Sequence, residues 1–357
     1  MVEQLEELAK RVKPADKKAQ RHFLINQYKL AKPVGSLGKI DDIVYRLSGI
    51  NEYFEKEGDL TKTIFVLAGD HGVSSEGVSL YKPSVTMKVL TLINNGKAPI
   101  NVIANQNAAN LVLADLGVIG DTDHLQNVRK LKVRRGTSNF AHMPAMTRDE
   151  AVTAICRGAS LIDSLDHGKR NLIAVGEIGI GNTTASSIIT SYICNVSIEE
   201  TIGYGTGISE EGLDKKIWLA KNSIAVNKLE KDCHPLDLLR IFGGFEIAGV
   251  VGLILAAASK RVPILLDGFI TSAAASIAVL LNENVRDYLF ASHQSTETGH
   301  KYLLHFLKLD PLLELNMKLG MASGAGIAMS LVELGCKIST HTGLISELDL
   351  TQREKNY

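Results

Sequence analysis

Residues 171–187 constrain the fold more than any other stretch of the chain. Leu172-Ile173-Ala174-Val175, within the run Asn171–Val175, is apolar without alternation, as a strand buried on both faces would be. It leads into Gly176-Glu177-Ile178-Gly179-Ile180-Gly181-Asn182-Thr183-Thr184 and then a helix-compatible segment, Ala185–Cys194. A strand, a glycine turn and a helix start follow one another directly. Gly176, Gly179 and Gly181 let the backbone approach a ligand, while Asn182, Thr183 and Thr184 can cap the helix and aim free N–H groups at an anion, a phosphate most naturally. A tight turn with no ligand is the alternative reading. The dinucleotide fingerprint Gly-x-Gly-x-x-Gly is not matched by Gly176-x-x-Gly179-x-Gly181, so this spacing does not support NAD binding.

Around that stretch, short apolar runs alternate with helical segments. Six candidate strands stand out: Thr63–Ala68, Asn110–Leu116, Val128–Val133, Asn171–Val175, Val262–Leu266 and Tyr288–Ala291. Strands separated by helices imply an α/β fold with a mostly parallel, doubly wound six-stranded sheet, and chemistry at the carboxyl ends of its strands. Gly69-Asp70-His71-Gly72, Asp115-Leu116-Gly117, Gly176-Glu177, Asp267-Gly268 and Ser292-His293 fall at such ends, which points to one cleft. Residues 1–58 read as mainly helical, with a helix around Ile40–Tyr53 and a Pro/Gly turn at Lys32–Gly38 that is either a connector or a loop reaching a ligand. Glu246–Ser259 and Phe269–Leu281 are almost free of charge but shorter than the ~20 residues a membrane span needs. They are expected as buried helices packed closely through Gly and Ala, with part of that surface available to a second subunit. A second glycine loop, Met317–Gly326, enters an apolar helix at Ile327–Leu334.

Composition narrows the partners. Aromatic residues are only 5% of the 357, so the core must be aliphatic, and 39 basic residues balance 39 acidic ones, which gives no reason to expect nucleic acid or an anionic membrane. Cys156, Cys194, Cys233 and Cys336 show neither disulfide nor zinc spacing, and the acidic start lacks an apolar signal region. A cytoplasmic protein with reduced cysteines and no zinc site is the expectation.

Together the motifs resemble the nicotinate-nucleotide:dimethylbenzimidazole phosphoribosyltransferase family. Lys32–Gly38, Gly69–Ser79, Arg135–Phe140, Gly176–Ser186, Gly203–Gly207 with Lys216, Phe245–Gly249, Asp267–Phe269, His293–His300 and Leu319–Ala325 occur in the family's order. The resemblance implies a Rossmann-like sheet in a large domain, residues 60–292, and a small helical domain built from 1–59 and 293–357. It implies a dimer with the active site near the subunit boundary. The implied reaction moves the 5-phosphoribosyl group of nicotinate mononucleotide to an aromatic acceptor, with no cofactor and no metal.

By the same resemblance, Glu177 is the catalytic carboxylate. Gly179, Gly181, Asn182, Thr183, Gly205, Thr206, Lys216, Ser295, Ser323 and Gly324 are expected around the donor and its phosphate, and Ser79, Pro83, Ile178 and Met321 in the acceptor pocket. Without the resemblance, Lys216 in Leu213-Asp214-Lys215-Lys216 reads as part of a solvated helix face. Four positions depart from the family. Met321 stands where a glutamate acts as general base, Pro83 where a glutamine follows the Tyr-Pro step, and Tyr204 and Gln294 where arginines are expected. Two readings lead: an enzyme for a less polar acceptor such as phenol or p-cresol, its proton leaving through Glu177, His71 or water, or a weakened subunit supporting an active homologue; an ordinary self-sufficient benzimidazole enzyme ranks third because of Met321. Both leading readings favour a heterodimer with a homologous subunit, a homodimer being the alternative.

Overall fold

The computed structural model describes residues 2–51, 60–166 and 168–348. The C-terminal residues expected in the small domain beyond 348, and the expected helix end at Tyr53, lie outside them. Six strands form one sheet: β1 (Thr61–Gly69), β2 (Asn110–Gly117), β3 (Val128–Lys130), β4 (Asn171–Ile178), β5 (Ile264–Leu266) and β6 (Leu289–Ala291). Their order is β3-β2-β1-β4-β5-β6 and every neighbouring pair is parallel. The chain therefore winds outward in both directions from β1 and β4, and the crevice at their carboxyl ends is the topological switch point.

All six expected strands form, with shifted ends. β5 begins at Ile264 because Pro263 has no N–H to give and Arg261, at φ 56°, turns the chain in the left-handed region. Tyr288 closes a 3₁₀ turn, Glu283–Tyr288, rather than opening β6. β4 runs further than its apolar residues suggest, because Gly176, Glu177 and Ile178 pair with Val66, Leu67 and Ala68 of β1. Glu177 is thus held by a central strand. Gly176 serves a purpose other than ligand approach: a Cβ there would lie 2.0 Å from the backbone nitrogen of Ala322, so the glycine admits the second glycine loop against β4.

The helices Phe245–Ser259, Arg148–Ser160 and Phe269–Leu281 pack together on the sheet, and Ser323–His341 packs on β4 and β5 with Pro99–Gln106 and Lys39–Ile50 beside it. Both charge-poor segments are buried helices as expected. The closest approach is backbone on backbone: a Cβ at Gly158 would meet Gly249 O at 1.9 Å, and one at Gly252 would meet Ile155 O at 1.9 Å. The termini come together, with Ala31 N donating to Gly343 O at 2.8 Å and Leu30 bridging Leu344. One hydrophobic cluster nonetheless runs from Leu5 to Cys336, so core packing is continuous across residues 60 and 292. Among the described residues, no helix is long and apolar enough to cross a membrane.

Candidate active site

A cleft of about 320 Å³ opens beyond the carboxyl ends of β4, β5 and β6. β4 contributes Glu177 and Ile178, β5 is followed by Asp267, and β6 by Ser292 and His293. Opposite them stand Val78, Ser79 and Tyr81, the helix residues Val85 and Val89, and Lys318–Met321. Of the expected site residues, Ser79, Glu177, Ile178, Gly179, Gly181, Asn182, Thr183, Gly205, Thr206, Ser295 and Met321 line this one cleft. Pro83 is not on its wall and caps the helix Ser84–Asn94. Lys216, Ser323 and Gly324 lie behind the wall.

The glycine turn reaches its helix through Gly181, which has φ 102° and caps Asn182–Cys194 with no side-chain hydrogen bond. The first-turn side chains are engaged elsewhere. Asn182 Nδ2 donates to Glu177 Oε2, and Thr183 Oγ1 accepts from Lys216 Nζ at 3.0 Å. Lys216 also donates to Gly203 O at 3.1 Å and is fully buried, so the solvated-face reading is excluded. Burial lowers its pKa to about 8 from 10.5, against the pull of Glu297. One ammonium thus ties the Asn182 helix start to the Gly203–Gly207 loop from beneath. A second tie crosses the cleft mouth, where Ser79 Oγ and Thr206 Oγ1 lie 3.1 Å apart and Leu80 N donates to Thr206 Oγ1 at 3.0 Å.

Glu177 is the most perturbed carboxyl in the cleft. Burial pushes its pKa well above the ordinary value, and the like charges of Glu246 and Asp267 push it further, against the hydrogen bond from Asn182. These causes favour its protonated form. Cationic charge on a bound ligand would release that proton and make the carboxylate available.

The strand ends do not all converge. Asp70 Oδ2 accepts from Ile119 N at 2.8 Å, and Asp115 accepts from Val118 N at 2.8 Å and from Thr122 Oγ1 at 2.6 Å; both are structural carboxyls that hold turns. His71 is wholly buried, with Nε2 at 2.5 Å from Glu246 Oε1, and packs beneath Gly181. It cannot take a proton directly from a ligand in the cleft. The expectation of five converging strand ends is thus corrected to three.

Asp267 and His293 belong to the site although residue types alone did not single them out. Asp267 Oδ1 accepts from Gly324 N at 2.8 Å and Ala325 N at 3.2 Å, which anchors the helix Ser323–His341 and explains why Gly324 lies behind the wall. Burial pushes the Asp267 carboxyl up, opposed by His293 and these N–H groups. In the sequence they are marked by their position at strand ends and by the family blocks Asp267–Phe269 and His293–His300. Val85, Val89 and Ile180 also line the cleft; in the sequence they look like any core aliphatics. Met321 reaches it from a turn in which Gly320, Met321 and Ala322 all have positive φ, at 78°, 59° and 60°. Two non-glycine residues in succession there carry backbone strain of the kind found at functional sites.

A parallel switch-point sheet, a glycine-rich turn at a helix start and buried carboxyls lining the same cleft are the features of an α/β enzyme. A phosphoribosyltransferase family profile matches residues 12–347. A relative from Desulforudis audaxviator, nicotinate-nucleotide–dimethylbenzimidazole phosphoribosyltransferase, is 42% identical over 346 residues, covering 97% of this chain and 98% of its own. The enzyme of the same name from Halalkalibacterium halodurans is 39% identical over 338 residues, covering 95% and 94%. The crystal structure of CobT from Thermus thermophilus superimposes with a TM-score of 0.88 at 33% identity, over 94% of this chain and 99% of that one. The chain belongs to the nicotinate-nucleotide–dimethylbenzimidazole phosphoribosyltransferase family.

Proposed function

We propose that the protein transfers the 5-phosphoribosyl group of nicotinate mononucleotide to an aromatic acceptor in cobamide synthesis, and that it prefers phenol or p-cresol to benzimidazoles. The observation that carries the preference is Met321 on the cleft wall with Ile178, Ile180, Val85 and Val89 around the same space. Where the family resemblance expects a carboxylate, the wall presents a polarizable thioether suited to a ring face. A benzimidazole N–H would be buried there without that carboxylate partner, at a cost of ~1–3 kcal/mol, whereas a phenol presents one hydroxyl that can turn toward a remaining polar group.

The donor side is supported by the rest of the cleft. The glycine turn with Thr183, and the Gly205-Thr206 loop, offer N–H and hydroxyl groups to a phosphate, with the buried Lys216 ammonium adding positive charge from behind them. Nicotinate leaves from a cationic pyridinium nitrogen and takes the bonding electron pair with it, so the leaving group needs neither a general acid nor a metal. Glu177, once ionised, faces the positive charge that develops on the ribose ring. The departures from the family pattern favour a working unit paired with a homologous subunit.

The test is turnover with nicotinate mononucleotide and phenol, p-cresol or 5,6-dimethylbenzimidazole, for wild type and Met321→Glu, each alone and with a co-expressed homologous subunit. Wild type is expected to favour phenols, and Met321→Glu to move toward the benzimidazole by tenfold or more in the ratio of kcat/KM. A wild type that favours dimethylbenzimidazole overturns the acceptor preference. A complex that stays active while this chain's cleft binds no acceptor makes the chain a supporting subunit.

A further inference from the structure

With Met321 in place of a carboxylate and His71 sealed beneath the cleft, the proposed reaction needs a proton acceptor. We infer that His293 fills this role, accepting the acceptor's hydroxyl proton at Nε2 while Ser292 and Asp267 orient and stabilise the ring. The inference rests on the acceptor reading above.

The geometry specifies the tautomer. Ser292 Oγ donates its single hydrogen to Asp267 O at 3.1 Å, so its contact with His293 Nδ1, also 3.1 Å, must be one in which the ring nitrogen donates. Nδ1 therefore carries the proton and Nε2 the lone pair. Nε2 has no hydrogen-bond partner among the described residues, and the ring lines the cleft beside Gly268, where a Cβ would meet its Cε1–Nε2 edge at 3.6 Å. Asp267 Oδ1, 4.0 Å from Nδ1, lies on the side opposite the open nitrogen. A base whose other nitrogen is hydrogen-bonded and faces a buried carboxyl repeats the logic by which hydrolases orient a catalytic imidazole. Burial lowers the His293 pKa, opposed by Asp267, so the ring is neutral and able to accept at neutral pH.

The step balances. The acceptor O–H bond breaks and its proton passes to Nε2; the oxygen forms a bond to the anomeric carbon; the bond to the nicotinate nitrogen breaks with its electron pair on nicotinate. The imidazolium, facing Asp267, loses its proton to solvent after product leaves. The other titratable and charged groups facing the ring are Glu177 and Glu297 on the cleft wall, Lys318 at its rim, and His300, whose ring centroid is 6.3 Å away.

The experiment compares wild type with His293→Asn, whose amide can still donate to Ser292, and His293→Ala supplied with imidazole. Acceptors are phenol and a nitro-substituted phenol already ionised at neutral pH. His293→Asn is expected to bind nicotinate mononucleotide as wild type does by calorimetry and to lose 10²–10⁴-fold in kcat with phenol. It should also lose the acidic limb of the pH profile that wild type shows, and fall less than tenfold with the pre-ionised phenol. Imidazole should partly restore His293→Ala. An equal loss with both phenols, or full activity in His293→Asn, overturns the assignment of the base while leaving the acceptor reading intact. A wild type that uses no phenol overturns both.

Discussion

Lys216 offers a measurement in which electrostatics, folding and binding report on one group. Its pKa falls from 10.5 to about 8, a drop worth about 3 kcal/mol at 1.36 kcal/mol per unit. That is the order of what the folded protein forgoes at neutral pH to keep an ammonium in a fully buried position under the Gly203–Gly207 loop. Because the unfolded chain binds the proton more tightly, stability is lost as pH falls from 10.5 through 8 and regained in the other direction. Wild type should therefore gain up to about 3 kcal/mol relative to Lys216→Met between pH 8 and 10.5 in denaturant titrations. At pH 7 the two should differ little, because relief of the buried charge in Lys216→Met is offset by a Thr183 hydroxyl and a Gly203 carbonyl left without their donor, about 1–3 kcal/mol each. In calorimetry, nicotinate mononucleotide should bind Lys216→Met about 1.5–3 kcal/mol more weakly at pH 7. Wild-type affinity alone should decline above pH 8, with proton uptake on binding. Parallel stability curves for the two proteins from pH 8 to 10.5, or equal affinity at pH 7, would refute the reasoning.

Two further outcomes are expected. Glu177→Gln should fold normally and nearly abolish turnover; in buffers of differing ionisation enthalpy, wild type should release more protons on binding nicotinate mononucleotide than the variant does, since burial, Glu246 and Asp267 raise the Glu177 pKa well above its ordinary value. His300, lowered to about 3 by burial with His293 adding to the effect, binds its proton less well than in the unfolded chain, so stability should fall as pH drops from 6.5 toward 3. His300→Gln should flatten that slope in acid denaturation, and an unchanged slope would show that the ring is not the group responsible.

The centre and one side of the sheet were legible because β1, β4, β5 and β6 are buried on both faces and read as largely apolar runs, whereas β3, Val128-Arg129-Lys130, is a short edge strand with two exposed residues. β4 shows the limit. Gly176 and Glu177 look like loop residues, yet the first is needed so that Ala322 can approach, a contact nearly 150 residues distant in the chain. Lys216 shows the converse, since Asp214-Lys215-Lys216 carries the signature of a solvated face and only the folded position of Thr183 and Gly203 makes a buried tether of one lysine. Asp70, His71 and Asp115 have the residue types and strand-end positions of catalytic groups, and what excludes them is tertiary: backbone donors claim the aspartates and Glu246 claims the histidine. Asp267 and His293 differ from them only in what lies in front of them.

The composition of the cleft makes Met321 and Glu177 interdependent. Glu177 already carries a raised pKa in which Glu246 and Asp267 share, and Met321 lines the same cleft. A carboxylate at 321 would add another like charge to a low-dielectric space and raise the cost of ionising Glu177. Methionine there leaves proton removal to a group that begins neutral, and the histidine at the end of β6 is such a group, because its ionised form gains from the carboxylates around it where another carboxylate would lose. Met321→Glu should therefore change more than acceptor choice. If the sites are coupled in this way, the proton released when nicotinate mononucleotide binds should persist to higher pH in Met321→Glu than in wild type, and identical release profiles would show that the two positions act independently.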